Sequence, residues 1–151
     1  MPATRGTVHA VTLLDVVYDS AHAPTRAELV ALYASVGWSA YTRDPDRLVA
    51  AVEASLRLVT ARQDGALIGL ARVVGDGLTI VYLQDLLVAP GSQRRGVGRE
   101  LFRRAFAPYD DVRQKVLLTD DDPSLRAFYE AMAFTEAGEL DPPVRTFVRF
   151  G

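Results

Sequence analysis

The sequence predicts an α/β protein built around a mixed, mostly antiparallel sheet that is flanked by about four helices. Three β-rich segments, at 56–63, 66–74 and 78–89, are separated by the turns Asp64-Gly65 and Gly75-Asp76-Gly77, which is typical of an antiparallel meander. A helical pattern then separates the third segment from a further strand. That last pair of strands is therefore expected to run parallel, joined by a right-handed crossover.

The other strands are predicted at the two ends of the chain and after the crossover helix. Strands are predicted at 11–17, 112–119 and 144–150, because these segments are rich in β-branched and apolar residues. The tail strand is preceded by the turn-like Asp141-Pro142-Pro143. The expected order is β-α-α-β-β-β-α-β-α-β.

Each of the four helices has a recognisable start. Thr25 and Glu28 form a capping box, and Gly37 ends that helix. Asp44-Pro45 and Asp122-Pro123 each place a capping residue before a proline at the first helical position. The crossover helix begins after a glycine-rich loop and is broken at Pro108.

Length and composition exclude several classes of protein. At 151 residues the chain is expected to form one domain, 1–151. Two His and no Cys exclude zinc fingers, thiol nucleophiles and disulfide frameworks, and three consecutive Asp at 120–122 do not make a metal site. A net charge of −2 and a pI near 5.7 argue against nucleic acid as a partner. Without a signal-peptide core or a membrane-length apolar run, the protein is expected in the cytoplasm.

A strand, a loop and a helix follow one another directly between 83 and 107. The strand ends at Val88-Ala89-Pro90, and Gln93-Arg94-Arg95-Gly96-Val97-Gly98 opens the helix. Glycines let a ligand approach the backbone, and the unpaired N–H groups of a first helical turn bind phosphate. The spacing fits neither a P-loop, which needs Gly-Lys-Ser/Thr, nor the Gly-x-Gly-x-x-Gly fingerprint of a dinucleotide site.

A strand ending Val-x-Pro followed by Gln/Arg-x-x-Gly-x-Gly/Ala resembles the GNAT superfamily of acyl-CoA-dependent N-acetyltransferases. The resemblance implies a GNAT-like sheet whose parallel strands splay apart, with acetyl-CoA as co-substrate and its pantetheine arm in that cleft. It also implies that a backbone N–H near Leu87 or Val88 polarises the thioester carbonyl. The residues assigned to the cofactor are Leu87, Val88, Gln93, Arg94, Arg95, Gly96, Val97, Gly98, Arg99 and Asp122.

A second stretch, from Asp122 to Phe134, resembles another motif of the family, Asn, six residues, then Tyr-Glu-x-x-Gly-Phe. The resemblance implies that Tyr129 is the general acid that protonates the departing thiolate. Two positions depart from the motif, because Asp122 replaces the usual Asn and Ala133 the usual Gly. Asp122 can act simply as a helix cap, and Tyr129 can be a core aromatic residue with its hydroxyl at the surface.

The acceptor side is expected on the loop with Trp38 and Tyr41 and on the strand with Tyr82, Gln84 and Asp85. The candidates for the general base are Asp85, Tyr82 and Gln84, acting directly or through water. For Asp85 the alternative is a structural hydrogen bond or an ion pair with Arg72. Because side chains alternate along a strand, Asp85 cannot share a face with both Tyr82 and Gln84 unless a bulge intervenes. Trp38 and Tyr41 either line the acceptor pocket or form a hydrophobic plug between helices.

Segments 37–41, 71–77 and 82–85 are further similar to the aralkylamine N-acetyltransferase-like branch. The expected reaction is therefore acetyl transfer from acetyl-CoA to a small primary amine. The alternatives are a protein or peptide amine as acceptor, and an acyl-CoA-binding module without turnover. The resemblance also implies a homodimer formed through strand edges near the C-terminus.

Overall fold

The computed structural model describes residues 15–151, which fall into two compact units, one ending at Leu117 and the other running from Leu118 to Gly151. The first unit holds a five-stranded sheet in which the strands follow one another in chain order. The first three pairings are antiparallel and the last is parallel, which confirms the predicted mixed sheet. The strands are β1 Val17–Asp19, β2 Arg57–Gln63, β3 Ala66–Gly75, β4 Ile80–Val88 and β5 Gln114–Leu117.

In the part of this unit that the structure describes, four α-helices accompany the sheet: α1 Arg26–Ser35, α2 Ser39–Thr42, α3 Pro45–Glu53 and α4 Val97–Phe106. The predicted starts are confirmed, since Thr25 makes the capping box of α1 and Asp44 caps α3. The single turn α2 lies in the segment that was predicted as a loop. Pro108 lies in a 3-10 turn, Ala107–Tyr109, that follows α4.

The sheet is buried on both faces. One face packs against α1 and α3 through a cluster that includes Leu32, Leu48, Leu70 and Leu87. The other face packs against α4, because a Cβ at Gly69, the neighbour of Leu70, would lie 2.9 Å from Cδ1 of Leu101. The missing side chain at Gly69 lets α4 lie directly on β3.

The second unit contains one α-helix, α5 Pro123–Ala131, and a 3-10 turn, Ala137–Glu139. Asp122 caps α5 as predicted. The helix ends in a Schellman motif, in which the N–H of Phe134 donates to Tyr129 O and the N–H of Ala133 donates to Glu130 O. Ala133 has a φ of 66°, a conformation that glycine adopts without strain.

The predictions for the ends of the chain are corrected. Residues 144–150 form no strand, and Phe147 and Phe150 are 94% and 87% exposed. β-branched and aromatic composition does not make a strand without a paired edge, and none of the five strands in the described part of the chain pairs with this segment. The predicted first strand lies largely outside the described residues, and β1 begins at Val17. The strand predicted at 112–119 is confined to Gln114–Leu117.

Candidate functional site

The N-terminus of α4 has no side-chain cap. Its N-cap residue is Gly96, with a φ of 80°, and the first bond of the helix runs from the N–H of Glu100 to Gly96 O at 3.1 Å. The N–H groups of Val97, Gly98 and Arg99 therefore have no acceptor within the helix. They carry the partial positive charge of the helix terminus, so this end of α4 can accept an anion.

The loop before α4 is held in an unusual conformation. Arg94, like Gly96, has a left-handed backbone, with a φ of 63°. Such a conformation costs about 1–3 kcal/mol for a residue with a Cβ and is concentrated at functional sites. The amide Nε2 of Gln93 donates to Val88 O at 3.0 Å, which ties the loop to the end of β4. The loop is therefore positioned relative to the strand that precedes it.

Packing does not explain the two glycines of the loop. A Cβ at Gly96 would meet nothing within 4 Å, and a Cβ at Gly98 would meet only Cγ2 of Val88 at 3.7 Å. At Gly96 the positive φ requires glycine, but Gly98 lies in a helix, where glycine is about 1 kcal/mol less favourable than alanine. The exposed side chains of Arg95 and Arg99 add positive charge beside this open backbone. These features together suit a phosphorylated ligand.

β4 continues past the point where β5 stops. Their parallel pairing runs from Ile80 with Gln114 to Leu83 with Leu117, whereas β4 extends to Val88. The N–H of Ala89 donates to Ile68 O at 2.8 Å, toward β3. Because N–H groups alternate sides along a strand, the N–H of Val88 points to the side that β5 has left. A backbone N–H at Leu87 or Val88 was predicted to polarise the thioester carbonyl. Of these two residues, Val88 directs its N–H into the gap. The side chain of Leu87 packs in the core.

A β-bulge at Gln84 changes which side chains share a face of the sheet. Arg72 pairs with Asp85 and Val73 pairs with Leu83, so Gln84 has no partner on β3. Without a bulge, Tyr82 and Asp85 would lie on opposite faces of the sheet. The bulge places both side chains on the same face, as the sequence analysis required. This face is the one covered by α1 and α3. The pair Arg72 and Asp85 lies two positions along the strands from the pair Leu70 and Leu87, which belongs to the core cluster on that face.

The carboxylate of Asp85 is buried and accepts three hydrogen bonds. Tyr33 Oη and Arg72 Nε both donate to Oδ2 at 2.7 Å, and Tyr41 Oη donates to Oδ1 at 2.9 Å. Only 1% of Asp85 is exposed. The ion pair with Arg72, one of the two interpretations of Asp85, is therefore present. A carboxylate that is this deeply buried and already accepts three hydrogen bonds is not open to direct contact with a substrate.

The two tyrosines on this carboxylate keep their protons. Burial and then the negative charge of Asp85 raise the pKa of Tyr33 far above its ordinary value. The same two causes raise the pKa of Tyr41. Both hydroxyls therefore remain hydrogen-bond donors to Asp85 across the physiological pH range.

Trp38 and Tyr41 form an aromatic cluster with Tyr33. The Trp38 and Tyr41 ring centroids are 5.9 Å apart, and Tyr41 lies 5.1 Å from Tyr33. Trp38 and Tyr41 are half-buried and pack against the core beneath α1 and α3. Their inner surfaces therefore fill the space between helices, which was one of the two interpretations of these residues. Gln84 is exposed, and its Nε2 donates to Tyr41 Oη at 3.1 Å. The structure thus brings the predicted residues Tyr41, Gln84 and Asp85 into one network.

The second unit holds the remaining predicted residues. Asp122 Oδ1 accepts from the N–H and the hydroxyl of Ser124, and these hydrogen bonds lower the pKa of Asp122. Asp122 is therefore the helix cap that the sequence suggested. The ring of Tyr129 is half-buried at 5.1 Å from Phe128, and burial raises the pKa of its hydroxyl. The role of Tyr129 in catalysis stays a prediction.

Tyr33 was not predicted as part of a polar network. In the sequence, Tyr33 is one of several apolar positions on one face of the helix that begins after Thr25. A buried tyrosine hydroxyl needs a partner, so a tyrosine on a core-facing helix together with a charged residue in a buried strand was the available signal.

Among residues 15–151, no cluster of three or more His, Cys, Asp or Glu side chains could hold a metal ion. No helix in this part of the chain is long and apolar enough to cross a membrane.

Comparison with known proteins identifies what the chain is similar to. Residues 33–141 match the model of the acetyltransferase (GNAT) domain. An uncharacterised, ycf52-like N-acetyltransferase from Prochlorococcus marinus is 31% identical over 112 residues, which are 72% of this chain and 61% of that protein. The chain therefore spans about three-fifths of the length of that relative.

Solved structures have the same fold. A GNAT-family acetyltransferase from Streptococcus pneumoniae superposes with a TM-score of 0.79 at 27% identity, covering 91% of this chain and 98% of that one. The aminoglycoside N-acetyltransferase AAC(6')-Iy in complex with CoA gives a TM-score of 0.66 at 18% identity, covering 91% and 95% of the two chains. This second likeness shows the fold alone.

Proposed function

Because the chain belongs to the GNAT acetyltransferase family, we propose that it transfers an acetyl group from acetyl-CoA to a primary amine of a small molecule. The observation that carries the proposal is the uncapped N-terminus of α4 beside the gap left by β5. A helix terminus that offers free N–H groups suits a pyrophosphate, and a strand with an outward N–H suits a thioester carbonyl. The whole chain is proposed to act as one functional domain.

The cofactor is proposed to bind along β4 and the loop that follows it. The backbone from Gln93 to Arg99 would accept the pyrophosphate oxygens, with charge supplied by Arg94, Arg95 and Arg99. The absence of a Cβ at Gly96 and Gly98 leaves this backbone open to the phosphates. Asp122, where the family uses Asn, is proposed to accept a hydrogen bond from the pantetheine arm in addition to capping α5.

The chemistry requires a neutral amine, a polarised carbonyl and a protonated leaving group. The N–H of Val88 would stabilise the negative charge that develops on the carbonyl oxygen. The amine nitrogen attacks the carbonyl carbon, the carbon–sulfur bond breaks, and the thiolate takes a proton from the Tyr129 hydroxyl. The proton lost by the amine is proposed to leave through water, and Asp85, the sequence-based candidate for the base, reaches the acceptor site only through the hydroxyl of Tyr41.

The acceptor is proposed to be a small amine with an aromatic or extended apolar group. Trp38, Tyr41, Tyr82 and Gln84 would line its site, and the exposed surfaces of the aromatic cluster support an aralkylamine.

A homodimer is proposed to form through the C-terminal tail. The exposed side chains of Val144, Phe147, Val148 and Phe150 support this, because several exposed apolar residues close together in one segment are typical of an interaction surface. Sedimentation across a range of concentrations tests the proposal, and a monomer at every concentration would contradict it. The cytoplasm is the proposed location.

Release of free thiol from acetyl-CoA, measured with a panel of arylalkylamines, polyamines, aminoglycosides and peptides, tests the proposed function. Turnover with one class of small amine is expected. Binding of acetyl-CoA without thiol release on any acceptor would instead indicate an acyl-CoA-binding module. Turnover confined to the peptides would move the acceptor to protein amines.

A further inference from the structure

Two tyrosine hydroxyls share the carboxylate of Asp85, but their surroundings differ. Tyr33 lies on α1, is 0% exposed, and donates to Oδ2, the oxygen that also accepts from Arg72. Tyr41 lies on α2, is half-buried, and donates to Oδ1. Tyr33 therefore belongs to the interior of the molecule, whereas Tyr41 connects the buried carboxylate to the surface beside Gln84.

The hydrogen bond to Asp85 fixes the direction in which the proton of the Tyr41 hydroxyl points. A phenol has one proton, and in Tyr41 that proton points inward to the carboxylate. Burial and the charge of Asp85 raise the pKa of Tyr41, so this proton stays in place. Toward the surface, Tyr41 Oη offers only acceptor capacity, part of which is taken by the Gln84 amide. A ligand at this point is bound through a donor.

The two buried charges next to the Tyr41 hydroxyl, on Asp85 and Arg72, neutralise each other. The carboxylate of Asp85 is paired with the guanidinium of Arg72, and both side chains are almost completely buried. An unpaired carboxylate would hold an amine in its ammonium form, which cannot attack a thioester. A neutral ion pair keeps the hydroxyl oriented without adding a net charge that favours the ammonium.

We propose that Tyr41 Oη orients the acceptor amine by accepting one of its N–H groups, and that Asp85 and Arg72 are positioning residues that hold this hydroxyl in its acceptor orientation. The inference rests on the proposed function and names the feature of the acceptor that the site recognises, an N–H donor. Asp85 acts through Tyr41 and does not itself touch the substrate.

The only tryptophan of the chain gives a direct measurement of binding. Trp38 lies 5.9 Å from the Tyr41 ring, so its emission should respond when a ligand contacts Tyr41. The probes are 2-phenylethylamine and its N,N,N-trimethylammonium analogue, which keeps the ring and a positive charge but has no N–H. The wild type is expected to bind the amine about tenfold more tightly than the analogue, the equivalent of one hydrogen bond.

Tyr41→Phe and Tyr33→Phe form a matched pair, since each removes one hydroxyl from the same carboxylate. Tyr41→Phe should abolish the preference for the amine over the analogue and raise the KM for the amine about tenfold, with the KM for acetyl-CoA unchanged. Tyr33→Phe should lower the unfolding midpoint and preserve the preference. An equal effect of both variants on the preference, or no effect of Tyr41→Phe, would overturn the proposal.

Asp85→Asn tests the positioning role. An amide at this position can donate to Tyr41 Oη, so the hydroxyl proton is free to turn outward and the preference for the N–H donor should fall. If this variant does not fold, the two tyrosine variants still decide the matter, because neither removes a buried charge.

The outcomes separate the inference from the proposed function. A preference that depends on Tyr41, without thiol release on any amine, would support the inference and contradict acetyl transfer. Thiol release that does not depend on Tyr41 would support acetyl transfer and contradict the inference. Absence of any Trp38 response to 2-phenylethylamine would also count against the inference.

Discussion

The N-terminus of α4 differs from those of α1, α3 and α5. In the other three helices a side chain accepts a hydrogen bond from the first turn: Thr25 from the N–H of Glu28, Asp44 from that of Arg47, and Asp122 from that of Ser124. At α4 the N-cap is Gly96 and no side chain caps the helix. The chain therefore caps its other long helices and leaves this one open.

The difference separates a structural role from a binding role. A cap satisfies an N–H within the chain and stabilises the helix by about 1 kcal/mol. An open terminus forgoes that stability and keeps the N–H groups for an acceptor from outside. At α4 the open terminus coincides with a strained Arg94 and with a gap beside β4, and this is the place where we propose that the cofactor binds.

Blocking the open terminus should have the largest effect. Gly96→Glu places a carboxylate where the pyrophosphate is proposed to bind, so we expect affinity for acetyl-CoA to fall by more than about 100-fold. Isothermal titration calorimetry measures this. Gly96→Gln is the matched control, because it strains the same left-handed backbone without adding a charge. Equal losses in both variants would show that backbone strain, and not a charge at the helix terminus, is responsible.

α5 has a capped N-terminus and is expected to contribute a side chain rather than its backbone. If the hydroxyl of Tyr129 protonates the thiolate, Tyr129→Phe should reduce kcat by about 10²–10⁴-fold, with little change in the KM for acetyl-CoA. Tyr109→Phe serves as the control in steady-state kinetics. Full turnover together with a lowered unfolding midpoint would return Tyr129 to a structural role, worth about 1 kcal/mol for one hydrogen bond.

The capped terminus of α1 should affect stability and not binding. Hydrogen bonds from Arg62, and then from the backbone of Thr25, lower the pKa of Glu28 from its ordinary value to about 2. The stability that this carboxylate contributes is therefore fully present above about pH 4.5 and is lost as the pH falls toward 2. Glu28→Gln should lower the free energy of unfolding by about 1 kcal/mol at pH 7, and the difference from wild type should shrink over that range. Denaturant titrations at pH 7 and pH 3 test this, and an unchanged difference would contradict it.

The smallest expected effect is a gain at the other end of a capped helix. Ala133 has a positive φ at the end of α5, so Ala133→Gly should raise the free energy of unfolding by about 1 kcal/mol. Ala131→Gly, the same substitution two positions earlier within the helix, should lower it by a similar amount. Changes of the same sign in both variants would contradict the strain at Ala133.

Local patterns carried most of what the sequence predicted correctly. The caps at Thr25, Asp44 and Asp122 and the loop before α4 are set by neighbouring residues, so each is readable from a short stretch. The prediction of a strand at 144–150 was wrong, because a strand needs a neighbouring strand to pair with and composition alone does not supply one. The turn α2 was missed because Ser39–Thr42 is too short to show a helical period.

The candidate site was predictable only in part, for the same reason. The donors to Asp85 come from 52, 44 and 13 residues away along the chain, in Tyr33, Tyr41 and Arg72. A buried carboxylate indicates that partners exist, but only the fold selects them. The bulge at Gln84 is likewise a property of strand pairing, and it decides which side chains share the face with Asp85.

The most direct test of the account is the contribution of the pyrophosphate to binding at the open terminus of α4. Calorimetry should compare acetyl-CoA with S-acetylpantetheine, which carries the same thioester arm without the phosphates and the adenosine, in the wild type and in Gly96→Glu. The part of the difference that is lost in the variant is the part due to the terminus of α4. We expect the wild type to bind acetyl-CoA at least about 100-fold more tightly than S-acetylpantetheine, and the variant to lose most of that difference. Equal affinity of the wild type for the two compounds would contradict the assignment of the phosphate site to α4.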